Sequence, residues 1–250
     1  MVSKNQIKLI TSLQHKKYRI EHQLFIAEGV KVVQELLVSN FVLEHLYETE
    51  AIFKQVSVSQ KTLINEQDMN RITALSSASS CLAIFKIPTE TKIETKGLIV
   101  ALDDIRDPGN LGTIIRLCDW FGVTQLLCSH ETVNVYNPKV IQATMGSITR
   151  VKVNYVDLKD YILQSSLPIF GTFMDGENLY KEALPKEAIL ILGNEANGIS
   201  SALEKTIKNR IAIPRFPSAV GYASCGDIQK TESLNVATAT AIFLSEFRRL

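Results

Sequence analysis

From Gly97 onward the chain alternates short strand-like runs with helix-length amphipathic segments, and this alternation constrains the fold more than any other feature. Leu98–Leu102 (LIVAL) has no polar position, as expected of a strand buried on both faces of a parallel sheet. Further strand candidates fall at residues 125–128, 151–155, 169–173, 189–192 and 210–213. Between them, residues 111–121, 138–147, 158–164 and 200–208 are long enough to be the covering helices. The pattern predicts an α/β domain built on a parallel sheet. The last element, residues 233–250, reads as a helix with Leu234, Ala237, Ala241, Leu244 and Arg248 along one stripe. Its Ala and Thr positions permit close approach of another backbone.

Before Gly97 the elements are shorter and mixed. Residues 4–19 read as one helix, 24–27 as a strand, and 29–38 as a helix with Val32, Val33, Leu36 and Leu37 at helical spacing. Residues 42–46 and 82–87 look like strands and 68–75 like a helix. Residues 88–96 (PTETKIETK) hold Ile93 as their one large apolar residue. They predict a linker between a smaller α/β domain of residues 1–90 and a domain of residues 97–250.

Composition removes several classes. Apolar residues make up 46% and charged residues 21%, which is globular and not disordered. Leu98–Leu102 and Ala188–Leu192, the longest apolar runs, fall far short of the roughly 20 residues a membrane span needs. The first ten residues carry Lys4 and Lys8 and no apolar block, so no secretory signal is expected. A net charge of +1 excludes a protein that coats nucleic acid wholesale but leaves room for a local basic patch. Residues 1–20 supply one candidate: Lys4, Lys8, Lys16, Lys17 and Arg19 with no acidic residue, either a solvated helix face or an RNA-contacting surface. Cys81, Cys118, Cys128 and Cys225 form no CxxC pair, and the histidines (His15, His22, His45, His130) are scattered. Free thiols in a reducing cytoplasm are expected, with no metal site. The chain has no GxGxxG, GxxxxGK[ST], GxSxG or HExxH pattern.

Ligands of open α/β sheets bind beyond the carboxyl ends of the strands, and three loops there are unusual. The first runs from Asp103 through Asp107-Pro108-Gly109-Asn110-Leu111-Gly112 and leads into a helix carrying Arg116. The second is Gly193-Asn194-Glu195-Ala196-Asn197-Gly198, directly after a buried strand. The third follows Ile213-Pro214 and ends in Thr231-Glu232-Ser233-Leu234-Asn235 at the start of the last helix. Each loop alone serves equally well as a structural turn or cap: Asp-Pro-Gly-Asn turns chains, and Ser233 or Thr231 caps helices. Three such loops at one edge of one sheet point to a site.

These residues resemble the SpoU family of RNA ribose methyltransferases, within the knotted α/β methyltransferases. The first family motif matches Asn110-Leu111-Gly112-Thr113-Ile114-Ile115-Arg116, the second Leu192-Gly193-Asn194-Glu195-Ala196-Asn197-Gly198, and the third Glu232-Ser233-Leu234-Asn235-Val236-Ala237. Phe25-Ile26-Ala27-Glu28-Gly29 and its flanking helices are similar to the N-terminal substrate-binding domain of many such enzymes, a ribosomal-protein-like fold that binds RNA. One departure is the stretch from Arg215 to Thr231, which lengthens the usual connection to the third motif as a lid, a substrate loop or a neutral insertion.

The resemblance implies a trefoil knot, an exception to the rule that chains are unknotted. It implies S-adenosylmethionine as cofactor, held by Leu192, Gly193, Asn194, Gly198, Ile213, Ser233 and Leu234, with Thr172 to Gly176 as a further wall. It implies methyl transfer to a ribose 2′-hydroxyl, with Arg116, Asn110, Glu195, Ser233 and Asn235 as the catalytic set and Lys16, Lys17, Arg19 and Arg116 contacting RNA. A free guanidinium has a pKa above about 12. Arg116 therefore acts either as a base in a strongly perturbing environment or as a donor to the developing alkoxide. The family also implies a cytoplasmic homodimer in which one subunit's arginine serves its partner's cofactor. Ribosomal RNA is favoured as substrate, with transfer RNA, or a non-catalytic RNA-binding scaffold, as alternatives.

Overall fold

The computed structural model describes residues 2–89, 93–215 and 233–249. Most of the Arg215-to-Thr231 stretch, Cys225 within it, and Glu232 lie outside the described residues, and so does part of the segment expected to form the knot. By its contacts the chain groups into two compact units. The first comprises Met1–Lys92 with Asp107–Asp119 and Val133–Val153; the second comprises Ile93–Arg106, Trp120–Thr132 and Asn154–Leu250. The two segments that join the first unit from beyond the linker belong, by sequence pattern, to the α/β domain expected over residues 97–250.

The first unit contains a mixed sheet of β1 (Leu24–Glu28), β2 (Leu43–Glu48), β3 (Lys61–Leu63) and β4 (Cys81–Lys86), in the order β1-β4-β2-β3. β4 runs antiparallel to β1 and β2, and β3 is parallel to β2. α1 (Lys4–Ser12) opens with a capping box: the Gln6 N–H donates to Ser3 Oγ at 3.3 Å and the Ser3 N–H donates to Gln6 Oε1 at 2.9 Å. The single helix expected over residues 4–19 is in fact two, α1 and α2 (Lys16–His22). At the end of α1, Thr11 and Ser12 hydroxyls donate back to the Ile7 and Leu9 carbonyls at 2.8 and 2.6 Å, local bonds that compete with helix continuation. Leu13 then drops into the core, fully buried beside Ile10, Ile26 and Met69.

The break determines the fate of Arg19. Its Nη1 donates to the carbonyls of Leu13 and Gln14, at 3.0 and 2.9 Å, which the interrupted helix leaves open. Nε and Nη2 donate to Asn134 Oδ1 at 3.3 and 3.1 Å. Arg19 is 2% exposed, so it is a structural pin and not an RNA-contacting cation, which corrects the expectation for this residue. Lys16 and Lys17 are exposed.

α3 (Val30–Leu37) and α4 (Glu66–Ile72) complete the N-terminal part of this unit. α5 (Pro108–Trp120) and α6 (Pro138–Thr144) carry the later segments. Tyr136, just before α6, packs on Phe25 of β1 with ring centroids 4.9 Å apart. Gly112, part of the first motif, is room for α6: a Cβ there would lie 2.4 Å from Ala143 Cβ and 3.0 Å from the Val140 carbonyl.

The second unit is organised on a six-stranded sheet. Its strands are β5 (Leu98–Leu102), β6 (Gln125–Cys128), β7 (Lys152–Tyr155), β8 (Ile169–Asn178), β9 (Ala188–Leu192) and β10 (Asn209–Ala212), in the order β10-β8-β9-β5-β6-β7. The pairings from β10 through β6 are parallel, as the apolar runs predict. Every residue of β5, β6 and β9 is buried. On one face, Ile99, Ala101, Ile189 and Ile191 pack under α7 (Leu158–Gln164) and α8 (Ser201–Glu204). α8 is shorter than the helix expected over residues 200–208.

The last helix, α9, spans Val236–Phe247. Its buried residues are Val236, Ala237, Thr240, Phe243, Leu244 and Phe247: Ala237 and Leu244 belong to the predicted stripe, and the other four lie one position before it. Phe247 meets Phe170 edge-on at 5.5 Å. Arg248 donates to the Phe121 and Gly122 carbonyls at 2.9 and 3.1 Å, ending the helix against that loop.

Candidate active site

The carboxyl ends of β8, β9 and β10 open into a cleft of about 590 Å³, a volume in the range of small-molecule sites. Its floor is the loop after β9. Leu192 ends the buried strand, and the chain then folds back on itself: the Asn194 N–H donates to the Gly198 carbonyl at 3.0 Å and the Gly198 N–H donates to the Asn194 carbonyl at 2.8 Å. Asn194 Oδ1 accepts from the Ala196 and Asn197 N–H groups at 2.9 and 3.2 Å. Its Nδ2 donates to the Asp104 carbonyl at 2.8 Å, tying this loop to the one after β5. Below them the buried Asp103 carboxylate accepts from the Ser200 N–H at 2.7 Å.

Gly193 is fixed by this folding-back. A Cβ there would sit 2.2 Å from both the Gly198 carbonyl carbon and the Ile199 nitrogen, so the loop's own backbone fills the space. Gly198, at φ +67°, supplies the left-handed turn.

A register jump builds the second wall. Arg210 pairs with Gly171 and the next residue, Ile211, pairs with Glu177, so β8 swings away from β10 between those points. Thr172, Phe173 and Met174 line the cleft along this excursion, and Met174 is 73% exposed. Gly176 does not line the cleft. It lies where β8 returns, and a Cβ on it would meet the Ile211 nitrogen and carbonyl carbon at 2.7 and 2.6 Å. Arg210 braces the wall: its guanidinium lies 3.6 Å from the Phe173 ring centroid and is paired with Asp175 at 2.6 Å and Glu204 at 2.7 Å. The hydrogen bond from Arg210 holds the Asp175 carboxyl below the usual carboxylate range.

The third wall is Ile213, Pro214 and Arg215 after β10, with Ser233 and Leu234 before α9. Val236, Ala239 and Phe243 of α9 close the back. Their i, i+3, i+7 spacing is legible in the sequence, one register from the stripe that was read. Ala239 and Phe243, outside the three motifs, are the lining that sequence reasoning missed.

Of the residues assigned from sequence to the cofactor, Thr172, Leu192, Gly193, Asn194, Gly198, Ile213, Ser233 and Leu234 converge on this cleft. Glu195 also lines it and is exposed. Asn235 is the N-cap of α9, its Oδ1 accepting from the Ala237 and Thr238 N–H groups at 3.0 and 3.2 Å. Asn110 and Arg116 lie on α5, in the first unit. The Asn110 N–H donates to Asp107 Oδ1 at 2.8 Å, which starts the helix. Arg116 is exposed and, among the described residues, its guanidinium makes no hydrogen bond or ion pair. Also among the described residues, no cluster of His, Cys, Asp and Glu could hold a metal, and Cys81, Cys118 and Cys128 are buried free thiols.

The fold has counterparts. The model of the SpoU rRNA methylase family matches residues 97–245, and that of the MRM3-like substrate-binding domain matches residues 4–83. A protein of the TrmH family of RNA methyltransferases from Porphyromonas gingivalis superposes with a TM-score of 0.87 at 36% identity, over 100% of this chain and 99% of its own. An AdoMet-bound rRNA methyltransferase from Sinorhizobium meliloti does so with a TM-score of 0.84 at 28% identity, over 100% and 97%. The Bacillus subtilis 23S rRNA (guanosine(2553)-2′-O)-methyltransferase RlmP is 29% identical across 98% of this chain and 97% of its own length. The chain belongs to the SpoU rRNA methylase family.

Proposed function

We infer that this protein transfers a methyl group from S-adenosylmethionine to a ribose 2′-hydroxyl of ribosomal RNA. The observation that carries the reading is the cleft itself, in which the Gly193-to-Gly198 loop, the excursion of β8 and the Ser233–Leu234 approach to α9 meet at the carboxyl edge of a parallel sheet. The residues present fit this cofactor. The folded-back Gly193-to-Gly198 loop offers main-chain groups to an adenosine, while Ile213, Leu234 and Phe243 offer apolar surface to an adenine. Thr172 and Ser233 are among the polar lining residues that suit the ribose and amino-acid portions.

When bound, the cofactor's sulfonium supplies an already activated methyl group. What remains for the protein is to align donor and acceptor and to manage the hydroxyl proton. Arg116 is the acceptor-side residue. Its guanidinium, unpaired among the described residues, offers a planar set of donors to the oxygen that gains negative charge, an interaction that strengthens in the transition state. Asn110 positions the same helix start, and Asn235 fixes the origin of α9 so that Ser233 and Leu234 are presented to the cleft.

We place the RNA-holding role in residues 1–90, where Lys16 and Lys17 remain as exposed cations, and the chemistry in residues 97–250. We assign the active species as a cytoplasmic homodimer in which Arg116 of one subunit serves its partner's cleft. No helix among the described residues is long and apolar enough to cross a membrane. The names of the full-length relatives support ribosomal over transfer RNA. The test is calorimetry with S-adenosylmethionine in the presence of a chelator, followed by mapping of ribose methylations lost from total RNA in a strain lacking the gene. Tight, metal-independent binding and one lost 23S position are expected. Absence of binding at millimolar cofactor would leave only an RNA-binding scaffold.

A further inference from the structure

Lys16 and Lys17 sit on a helix whose outward face carries more than charge. His15, Tyr18 and His22 follow one another at intervals of three and four residues, which puts them on one side of α2. His15 meets Tyr18 edge-on and Tyr18 lies nearly parallel to His22, each pair with centroids 6.4 Å apart, the second with planes 17° apart. That spacing is near the wide end for aromatic pairs, so the rings do not satisfy one another. The Lys17 ammonium lies 5.7 Å from the Tyr18 centroid. All four side chains are exposed, together with Lys16, and the acidic residue of α2 is Glu21. On the same helix, buried Arg19 is held by the Leu13 carbonyl and Asn134 Oδ1, so the row of rings stands on a fixed support.

We propose that this face of α2 is a stacking platform for unpaired bases, so that the N-terminal part of the protein selects a single-stranded loop or bulge of its RNA substrate. The proposal rests on the reading of the protein as an RNA methyltransferase and adds which form of RNA it takes. Lysines alone attract duplex and single strand alike through phosphate. Aromatic faces discriminate, because bases in a duplex are already stacked and paired whereas splayed bases present their π faces. A cation beside the central ring places a phosphate next to the base that stacks on it.

The experiment measures fluorescence anisotropy of a labelled single-stranded RNA, and of the same strand annealed to its complement, with the full-length protein across a salt series. Tyr18→Ala should weaken single-strand binding about tenfold, as expected for one lost stacked base. Tyr18→Phe should restore it, and duplex binding should be unchanged. The salt slope should stay as in the wild type for Tyr18→Ala and should flatten for Lys16→Gln with Lys17→Gln, which removes phosphate contacts. Equal loss on both RNA forms, or wild-type affinity of Tyr18→Ala for the single strand, would overturn the platform. Calorimetry with S-adenosylmethionine on the same preparations keeps the two readings apart. A wild type that stacks single strands but binds no cofactor refutes the enzyme and leaves the platform standing.

Discussion

Replacing Gly193 by alanine tests the cleft at its most crowded point. The new methyl would lie 2.2 Å from the Gly198 carbonyl carbon and the Ile199 nitrogen, where ordinary contact begins at 3.4 Å. The obstacles are backbone, so no side-chain rotation relieves them, and the loop must retreat by about 1 Å or more, a displacement that at a catalytic site is worth on the order of a hundredfold in rate. The retreat strains the paired Asn194–Gly198 hydrogen bonds, each worth about 1 kcal/mol. Overpacking itself costs about 1–3 kcal/mol. Calorimetric affinity for S-adenosylmethionine should fall at least tenfold, equivalent to about 1.4 kcal/mol, with a lowered Tm. Gly198→Ala is the control: nothing lies within 4 Å of its added Cβ, and only the φ of +67° is unfavourable, by about 1–2 kcal/mol. It should therefore do less damage to binding. Wild-type affinity for Gly193→Ala, or greater damage from Gly198→Ala, would refute the claim that the folded-back loop forms the floor of the site.

Four further outcomes are expected. Arg116→Ala should abolish methyl transfer to ribosomal RNA, measured with tritiated cofactor, while cofactor affinity stays within a few fold; Arg116→Lys should fail too, because a point charge does not reproduce the planar fork. Mixing Arg116→Ala with Gly193→Ala subunits should restore part of the activity, and failure after mass spectrometry has shown subunit exchange would place Arg116 in its own subunit's site. Arg19→Met should lower the urea midpoint by the equivalent of about 3 kcal/mol, since it strands partly buried carbonyls of Leu13 and Gln14, whereas neutralising Lys16 and Lys17 should leave that midpoint in place. Burial pushes the Cys118 thiol up to about 12 and the Cys81 thiol up to about 11. Peptide mapping after iodoacetamide treatment at pH 8 should find both unmodified in the folded protein and alkylated in urea.

The second half of the chain was legible wherever one local signal sufficed. Apolar runs marked β5 and β9, and the glycine-bearing loops marked the cleft, because burial on both faces and tight turns leave signatures within a few residues. What escaped were features decided by distant partners. Helical periodicity runs on past Ser12, and the break becomes visible only in the back-bonded Thr11 and Ser12 hydroxyls and the burial of Leu13. Arg19 looks like one more surface cation until Asn134, 115 residues away, is seen accepting from it. β8 was expected to end at Phe173, yet it runs on to Asn178, where Glu177 and Asn178 pair with β10 again. Gly176 and Gly193 were assigned to the cofactor site, and Gly112 to a motif loop beside it. In all three the missing side chain makes room for the protein's own backbone or side chains, which residue type alone does not distinguish.

The interleaving of the two units bears on how such a protein is cut, fused or rearranged. Tyr136 stacks on Phe25, Asn134 receives Arg19, and Arg150 bonds to Glu35 at 2.6 Å, so the unit that begins at the N-terminus is finished by residues encoded well downstream of the linker. Severing the gene at residues 88–96 therefore divides a hydrophobic core and not a hinge. A fragment starting at Gly97 would carry α6 with its packing surface bare. A fragment ending at Lys92 would lack the side chains that cap β1 and hold α2. Exchange of the RNA-holding portion between relatives would have to transplant residues 107–119 and 133–153 along with the N-terminal stretch, and a chimera joined at the linker alone should be insoluble.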